Sequence, residues 1–459
     1  MAAKQIASTT RPTCAPVSLA LVILLGSTGG GAAQEEGGLN VGFVLTERLE
    51  YIEEDGFSGT DGSGLRSLTT LDFGLNSVTR SQSLEFGLST GLAVPLDDYG
   101  DLGFEDNLAT LEYTRSSRNS ELTFGAGYRR DDVDDLAFDA TFEDDDIVTG
   151  VGGREVLTLN SGLVVGRATR VTGTFDYVYE TTDFFDTLDP TLNDTDTQAL
   201  DARVRFQLTR TLTADVFGLW REEDESGAGA TDRTTTAIGT GASYLIDPAT
   251  TLAGEISYSE EESRGATPLD TEGWNYALSA TRDRPNGEVF VEYIQEDALT
   301  GTRRQLIAGQ DLTLQRGSLE YSLGVSETEG FDPQVLASLT LAYDLDRNGT
   351  ANIILSQEGT VNGDDEEVVN SRLNISYVRE LSAVSELAAS FDLVDENVLD
   401  AGADDQRSFS FDLTYDHDMT RDWGLTTGYE YSLVRLDGTA DRSRSTVFVG
   451  LQRSFAYRP

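Results

Sequence analysis

Cysteine, lysine and histidine are almost missing from this 459-residue chain, and each absence closes a class of chemistry. Cys14 is the one cysteine, which excludes a disulfide framework, cysteine-ligated zinc and iron–sulfur clusters. His417 is the one histidine, so no paired-histidine metal site exists, and neither a metal nor a cofactor is expected. Lys4 is the one lysine. Beyond residue 26 no apolar run approaches the roughly 18 to 20 residues of a membrane-spanning helix. The excess is in acid: 80 Asp and Glu against 33 basic residues leave a net charge of −47. That surplus disfavours binding to nucleic acid phosphates or to an anionic membrane surface.

The N-terminus reads as an export signal. Lys4 and Arg11 precede the apolar run Val17 to Leu25, and Gly31-Ala32-Ala33 supplies small residues for cleavage before Gln34. The expected organisation is a cleaved signal peptide over 1–33 and one transmembrane domain over 34–459. Loss of Lys4 and Arg11 takes the mature charge from −47 to −49.

From Leu39 onward apolar and polar residues alternate in stretches of about ten. Leu84, Phe86, Leu88, Thr90, Leu92 and Val94 share one strand face, and Ser83, Glu85, Gly87, Ser89, Gly91 and Ala93 share the other. Short connections such as Ser116 to Asn119, Thr209 to Thr211 and Asp346 to Asn348 alternate with longer acidic ones such as Asp131 to Gly153 and Asp395 to Gln406. Strict long–short alternation predicts an up-and-down antiparallel sheet of about 22 strands, with a range of 18 to 24, and both termini at the turn end.

A meander of that size cannot close around a small dry core, because barrel diameter grows with strand number. The polar faces carry Asp72, Glu85, Glu112, Asp176, Asp201, Asp215, Glu255, Glu320, Asp392, Asp412 and Glu430, with Arg203, Arg205 and Arg372 among them. Charge of this density requires water, so the predicted fold is an all-β transmembrane barrel with its apolar face in lipid and these residues in an aqueous lumen. Tyr244, Tyr343, Tyr377 and Tyr415 precede short turns, whereas Trp220, Tyr258, Tyr293 and Tyr431 lie toward the loops; the two groups fit aromatic girdles at the two interfaces.

The closing segment Ser445 to Pro459, with Phe455 and Tyr457 in alternation, resembles the terminal strand of Gram-negative outer-membrane barrels. With the arginine-bearing turns, the chain resembles the outer-membrane β-barrel porin families of proteobacteria, some found in polysaccharide-export contexts. The resemblance implies an outer-membrane address and an aromatic assembly signal at Phe455 or Tyr457. The partners it implies are the barrel-assembly machinery, membrane lipid and lipopolysaccharide.

Only Gln34 to Gly38 separates the cleavage site from the first alternation, so no plug domain is expected. A carboxylate-lined lumen attracts cations. The expected function is therefore a passive, cation-preferring diffusion channel for small hydrophilic solutes. The alternatives are an exopolysaccharide export barrel and a structural or loop-binding barrel without an open pore. The stretch Asp131 to Gly153 is a candidate inward constriction. The loop runs Glu143 to Asp146 and Asp364 to Glu367 are solvated loops or divalent-cation bridges to lipopolysaccharide. His417, between Asp416 and Asp418, reads as a polar turn residue with no serine nucleophile in evidence, and no enzyme activity is expected.

Overall fold

The computed structural model describes residues 38–56, 62–97, 100, 102–133, 152–187, 192–227, 230–265, 269–298, 301–361, 367–399, 405–436 and 441–457. The signal segment, most of the proposed constriction and the run Glu143 to Asp146 lie outside them.

Twenty-two antiparallel strands follow one another from β1 (Gly38–Asp55) to β22 (Arg442–Tyr457), each paired with its sequence neighbours. The ring closes where β1 pairs with β22 through 15 residue pairs, from Val41 opposite Tyr457 to Asp55 opposite Ser443. At a strand spacing of about 4.8 Å and a tilt near 40°, 22 strands enclose a wall roughly 40 Å across. Both described ends of the chain lie at the turn end.

Register carries the alternation around the ring, with shifts at Ser89/Gly91, Leu245/Asp247 and Glu380/Ser382. Phe43 lies opposite Phe73 and Phe455, Tyr258 opposite Trp274, and Phe411 opposite Phe391 and Tyr431. Leu45, Leu88, Phe124, Phe175, Leu278, Leu306, Leu323 and Val447 belong to this face and are exposed. The opposite face is concave. Its side chains reach over intervening strands, as Arg66 of β2 (Gly62–Val78) reaches Glu105 of β4 (Gly103–Ser116) at 2.8 Å. Convergence of side chains from a curved wall favours such reach. The grease is outside.

The strands are longer than the alternation predicts, at 11 to 18 residues. β9 (Leu212–Ser226) continues through Glu222 to Ser226, and β11 (Thr250–Arg264) through Glu260 to Arg264. In these overhangs both faces meet water, so the hydrophobic pattern that marks a strand is lost although the backbone ladder continues.

The turn end is stitched by a repeated contact. In each of the ten turns the carbonyl just before the returning strand accepts a hydrogen bond from the next hairpin: Ser81 from Ser116 at 2.9 Å, Arg170 from Gln207 at 2.8 Å, Arg316 from Asp344 at 2.7 Å, and so on to Asp422 from Ser454 at 3.0 Å. Gly287, with φ of 146°, lets one turn pass beneath its neighbour, since a Cβ there would meet the Asp311 carbonyl at 1.8 Å.

At the closing seam, Phe43 and Phe455 stack on the outer face with centroids 4.3 Å apart, and Arg453 lies over both Phe455 and Trp423. Replacing Phe43 with Ala should weaken closure by about 1 kcal/mol beyond the loss of area. The urea midpoint of barrel refolded in detergent should fall more for Phe43→Ala than for Leu39→Ala, because Leu39 precedes the region paired with β22.

Candidate functional site: the charged inner wall

All fourteen charged residues assigned to the lumen from sequence lie on the concave face by register. Three carboxylate pairs stand directly opposite one another on adjacent strands: Glu85 with Glu112, Asp176 with Asp201, and Asp412 with Glu430. Glu320 faces Asp311. Facing like charges are unfavourable on a strand pair unless water and counterions screen them. Several hold neutral partners: Asp72 accepts from Ser89 at 2.6 Å, Glu85 from Asn76 at 3.1 Å, Asp412 from Ser390 at 3.0 Å, and Asp392 from Asn374.

The arginines pair along the wall rather than across the lumen. One Arg203 nitrogen donates to Asp215 at 2.9 Å and to Glu255, three strands away, at 3.0 Å. Its guanidinium lies 4.5 Å from the centre of the Phe217 ring. That ring in turn rests on Gly239, where a Cβ would approach it to 2.2 Å. Arg205 lies opposite Asp215, and Arg372 opposite Ser356 and Val394.

The most heavily paired group was not anticipated. Glu50, 1 % exposed, accepts from Arg66 at 2.8 Å and is ion-paired with Arg48 at the same distance; Arg48 also reaches Glu430 at 3.1 Å, and Arg66 reaches Glu105. The Arg48 guanidinium covers Phe448 at 3.7 Å. This network runs from β21 (Trp423–Leu436) through the seam to β4 and braces the closure from inside. Its residues sit in ordinary alternation with Leu49 and Tyr51, but their convergence depends on which strands meet at closure, which no local pattern encodes.

A second buried group joins Arg303 to Glu367 at 2.7 Å and to Glu296 at 3.2 Å, with Thr328 donating to Glu367 at 2.8 Å. Glu367, read from sequence as part of an acidic loop, is instead the first residue of β18 (Glu367–Ser382) and is ion-paired. With Arg129–Asp131, Arg221–Glu223 and Arg233–Glu261, these pairs place most paired inward arginines in the loop-side half of the wall. Arg203 is the exception, close to a turn.

All eight aromatics assigned to girdles lie on the outer face by register. Tyr258 donates to Glu272 at 2.6 Å and meets Trp274 edge-on at 5.4 Å, which adds Trp274 to the loop-side band. Phe455 and Tyr457 also face outward beside Phe43 and Val41. One acid breaks the apolar face. Glu47 projects outward between Leu45 and Leu49, where the Ser67 and Thr69 hydroxyls donate to it. His417 lies in β20 (Gln406–Asp418) opposite Ser385, with Nδ1 3.1 Å from the Ser385 hydroxyl. Among the described residues no carboxylate is hydrogen-bonded to that ring, so a serine–histidine–acid arrangement is not assembled.

No family model matches the chain, and no curated protein matches it. Solved structures with the same fold do exist. The ferric enterobactin receptor of Pseudomonas aeruginosa aligns at TM-score 0.56 and 10% identity over 92% of this chain and 81% of that one. The ferric-catecholate import receptor Fiu of E. coli K12 gives 0.57 and 9% over 93% and 82%. The copper transporter OprC gives 0.52 and 12% over 91% and 81%. The chain is thus an outer-membrane β-barrel and resides in the outer membrane.

This likeness overturns the plug-free porin class and the passive-diffusion function expected from sequence. The neighbours are receptors and transporters whose 22-strand barrels carry a plugged lumen, and the export and purely structural alternatives fit them no better. The physical reason for the error is that alternation reports only that a lumen is wet. A wall facing a polar plug reads the same as one facing open water.

Substituting Glu50 with Gln leaves two guanidinium groups on a neutral partner at the seam. The stability loss should be about 2 kcal/mol, below the full cost of breaking a buried pair because both arginines retain access to water. Denaturant titration followed by the gel-mobility difference between folded and unfolded barrel measures it.

Proposed function

We propose that this chain forms the wall of an outer-membrane receptor for the energy-coupled uptake of metal ions or metal chelates. The observation that carries the reading is a closed ring of 22 strands aligned over more than nine-tenths of its length with siderophore receptors and a copper transporter. The inner wall narrows the cargo. Facing carboxylates at Glu85 and Glu112 and at Asp176 and Asp201 repel anionic complexes and concentrate cations. A metal cation, or a chelate of neutral or positive charge, therefore suits this lumen better than an anionic ferric catecholate. The loop-side ion pairs of Arg48, Arg66 and Arg303 hold the upper wall rigid around whatever fills the lumen. In this reading Phe455 and Tyr457 present the outward aromatic edge that the assembly machinery reads, and the aromatic bands anchor the wall at its two interfaces.

Cells lacking the protein should accumulate radiolabelled copper or chelated iron several-fold more slowly under metal limitation. Uptake in the parent should saturate with concentration and stop when a protonophore removes the energy supply. Uptake that persists with the protonophore and rises linearly with concentration would sink the proposal. Changing Glu85, Glu112, Asp176 and Asp201 together to amides should raise the half-saturating concentration for a cationic cargo, with the greatest effect at low salt.

A further inference from the structure

Basic residues are distributed unequally between the connections at the two ends of the barrel. None of the eleven connections at the loop end contains Arg or Lys. The ten turns at the other end carry eight arginines, Arg80, Arg118, Arg167, Arg170, Arg210, Arg316, Arg347 and Arg421, against two acids, Asp346 and Asp422. The three turns without one lie beside strand arginines at the same rim, Arg282 opposite Thr250 for the first, Arg284 opposite Gly287 for the second and Arg379 for the third. In a chain of net charge −47 the turns themselves reverse the sign, while Asp247, Asp283, Asp344, Glu380 and Asp418 lie at the strand ends beside them.

These side chains are exposed. Arg167 is paired with Glu121 at 2.6 Å, and Arg316 donates to the Leu345 carbonyl at 3.0 Å. Arg80, Arg118, Arg170, Arg210, Arg347 and Arg421 make no ion pair among the described residues. Their positions are ordered all the same, because each turn is tied to the next hairpin by its carbonyl contact. Their depth follows from the turn-side tyrosines. Arg347 is four residues beyond Tyr343, and Arg421 six beyond Tyr415, which places them roughly 10 Å past the tyrosine band along the tilted strand. A flexible arginine stem can bring its guanidinium back from there to the headgroup layer. Arg379 already does so, donating to the Tyr377 hydroxyl at 3.4 Å.

We propose that this rim is a binding surface for the phosphate groups of anionic phospholipid in the periplasmic leaflet. Guanidinium forks match pairs of phosphate oxygens. The distribution of the arginines selects lipid over a protein partner: they are spread around the whole circumference, whereas a docked protein would cover one arc and a lipid annulus is itself a ring. The acidic end, whose connections carry no arginine, then faces the exterior, so the same asymmetry favours a single orientation. The proposal is independent of the cargo.

The test uses refolded full-length protein in bilayers of phosphatidylcholine with one-fifth phosphatidylglycerol, with spin-labelled versions of each lipid competing for the barrel surface. The wild type should prefer phosphatidylglycerol by about threefold or more at low salt, and the preference should fall toward one in 1 M NaCl. A variant with Arg80, Arg118, Arg170, Arg210, Arg347 and Arg421 changed to Gln should lose the preference while keeping the folded gel mobility. A wild-type ratio near one overturns the proposal, and this arm needs no variant to fold. So does a variant that keeps the wild-type ratio. Binding to isolated peptidoglycan that is lost in the variant, with lipid preference unchanged, would overturn it in favour of wall docking.

Discussion

An N–H or C=O group left without a partner in hydrocarbon costs several kcal/mol, and an open sheet of 22 strands would leave two full edges of them. Closure of β1 on β22 is therefore the condition on which the rest of the molecule stands. The seam is reinforced on both faces. Outside, Phe43 and Phe455 stack under Arg453; inside, Arg48, Glu50 and Arg66 extend the bracing to β21 and β4. Arg444 adds a further pair to Glu54 at 2.6 Å near the loop end. Side chains that hold the ends of the chain together thus also form the most organised patch of the lumen.

The inner wall divides by height. Toward the loops, arginines neutralise carboxylates in groups that span several strands, as around Glu50 and Glu367. Toward the turns, carboxylates such as Asp176, Asp201 and Glu320 face one another or meet hydroxyl and amide partners. From the loop side toward the turns, the wall is first nearly balanced in charge and then more strongly negative. That order gives the field a direction without any moving part.

Faces and topology were legible in the sequence wherever one side of a strand meets lipid. Leu84 to Val94 and Trp423 to Tyr431 announce their outer faces by alternation alone, and register carries that assignment around the ring. Strand ends were not legible where alternation stops but pairing continues, as in Glu222 to Ser226 and Glu260 to Arg264. The acidic run at Asp364 to Glu367 read as loop for the same reason, and Glu367 proved to begin a strand. Glu47 was passed over because a single carboxylate among leucines scarcely disturbs a period-two pattern, and its hydroxyl partners lie on another strand. The Glu50 network needed knowledge of the closing pair. The contents of the lumen were the least legible of all, since plug and water impose the same polarity on the wall that surrounds them.

The overhanging strands have a consequence for how a solute meets the protein. Beyond the loop-side aromatics, β9 rises six residues past Trp220 and β11 six past Tyr258, so the sheet continues above the bilayer for roughly 15 Å as a stiff chimney. Its upper courses carry Glu222, Glu225 and Glu260, beside the arginine-paired Glu223 and Glu261, on paired backbone rather than on slack loops. At physiological ionic strength their field decays over about 8 Å, so it acts at the mouth itself rather than far out in solution. The rim of the barrel is thereby a parapet of fixed shape that stands clear of the plane of the membrane.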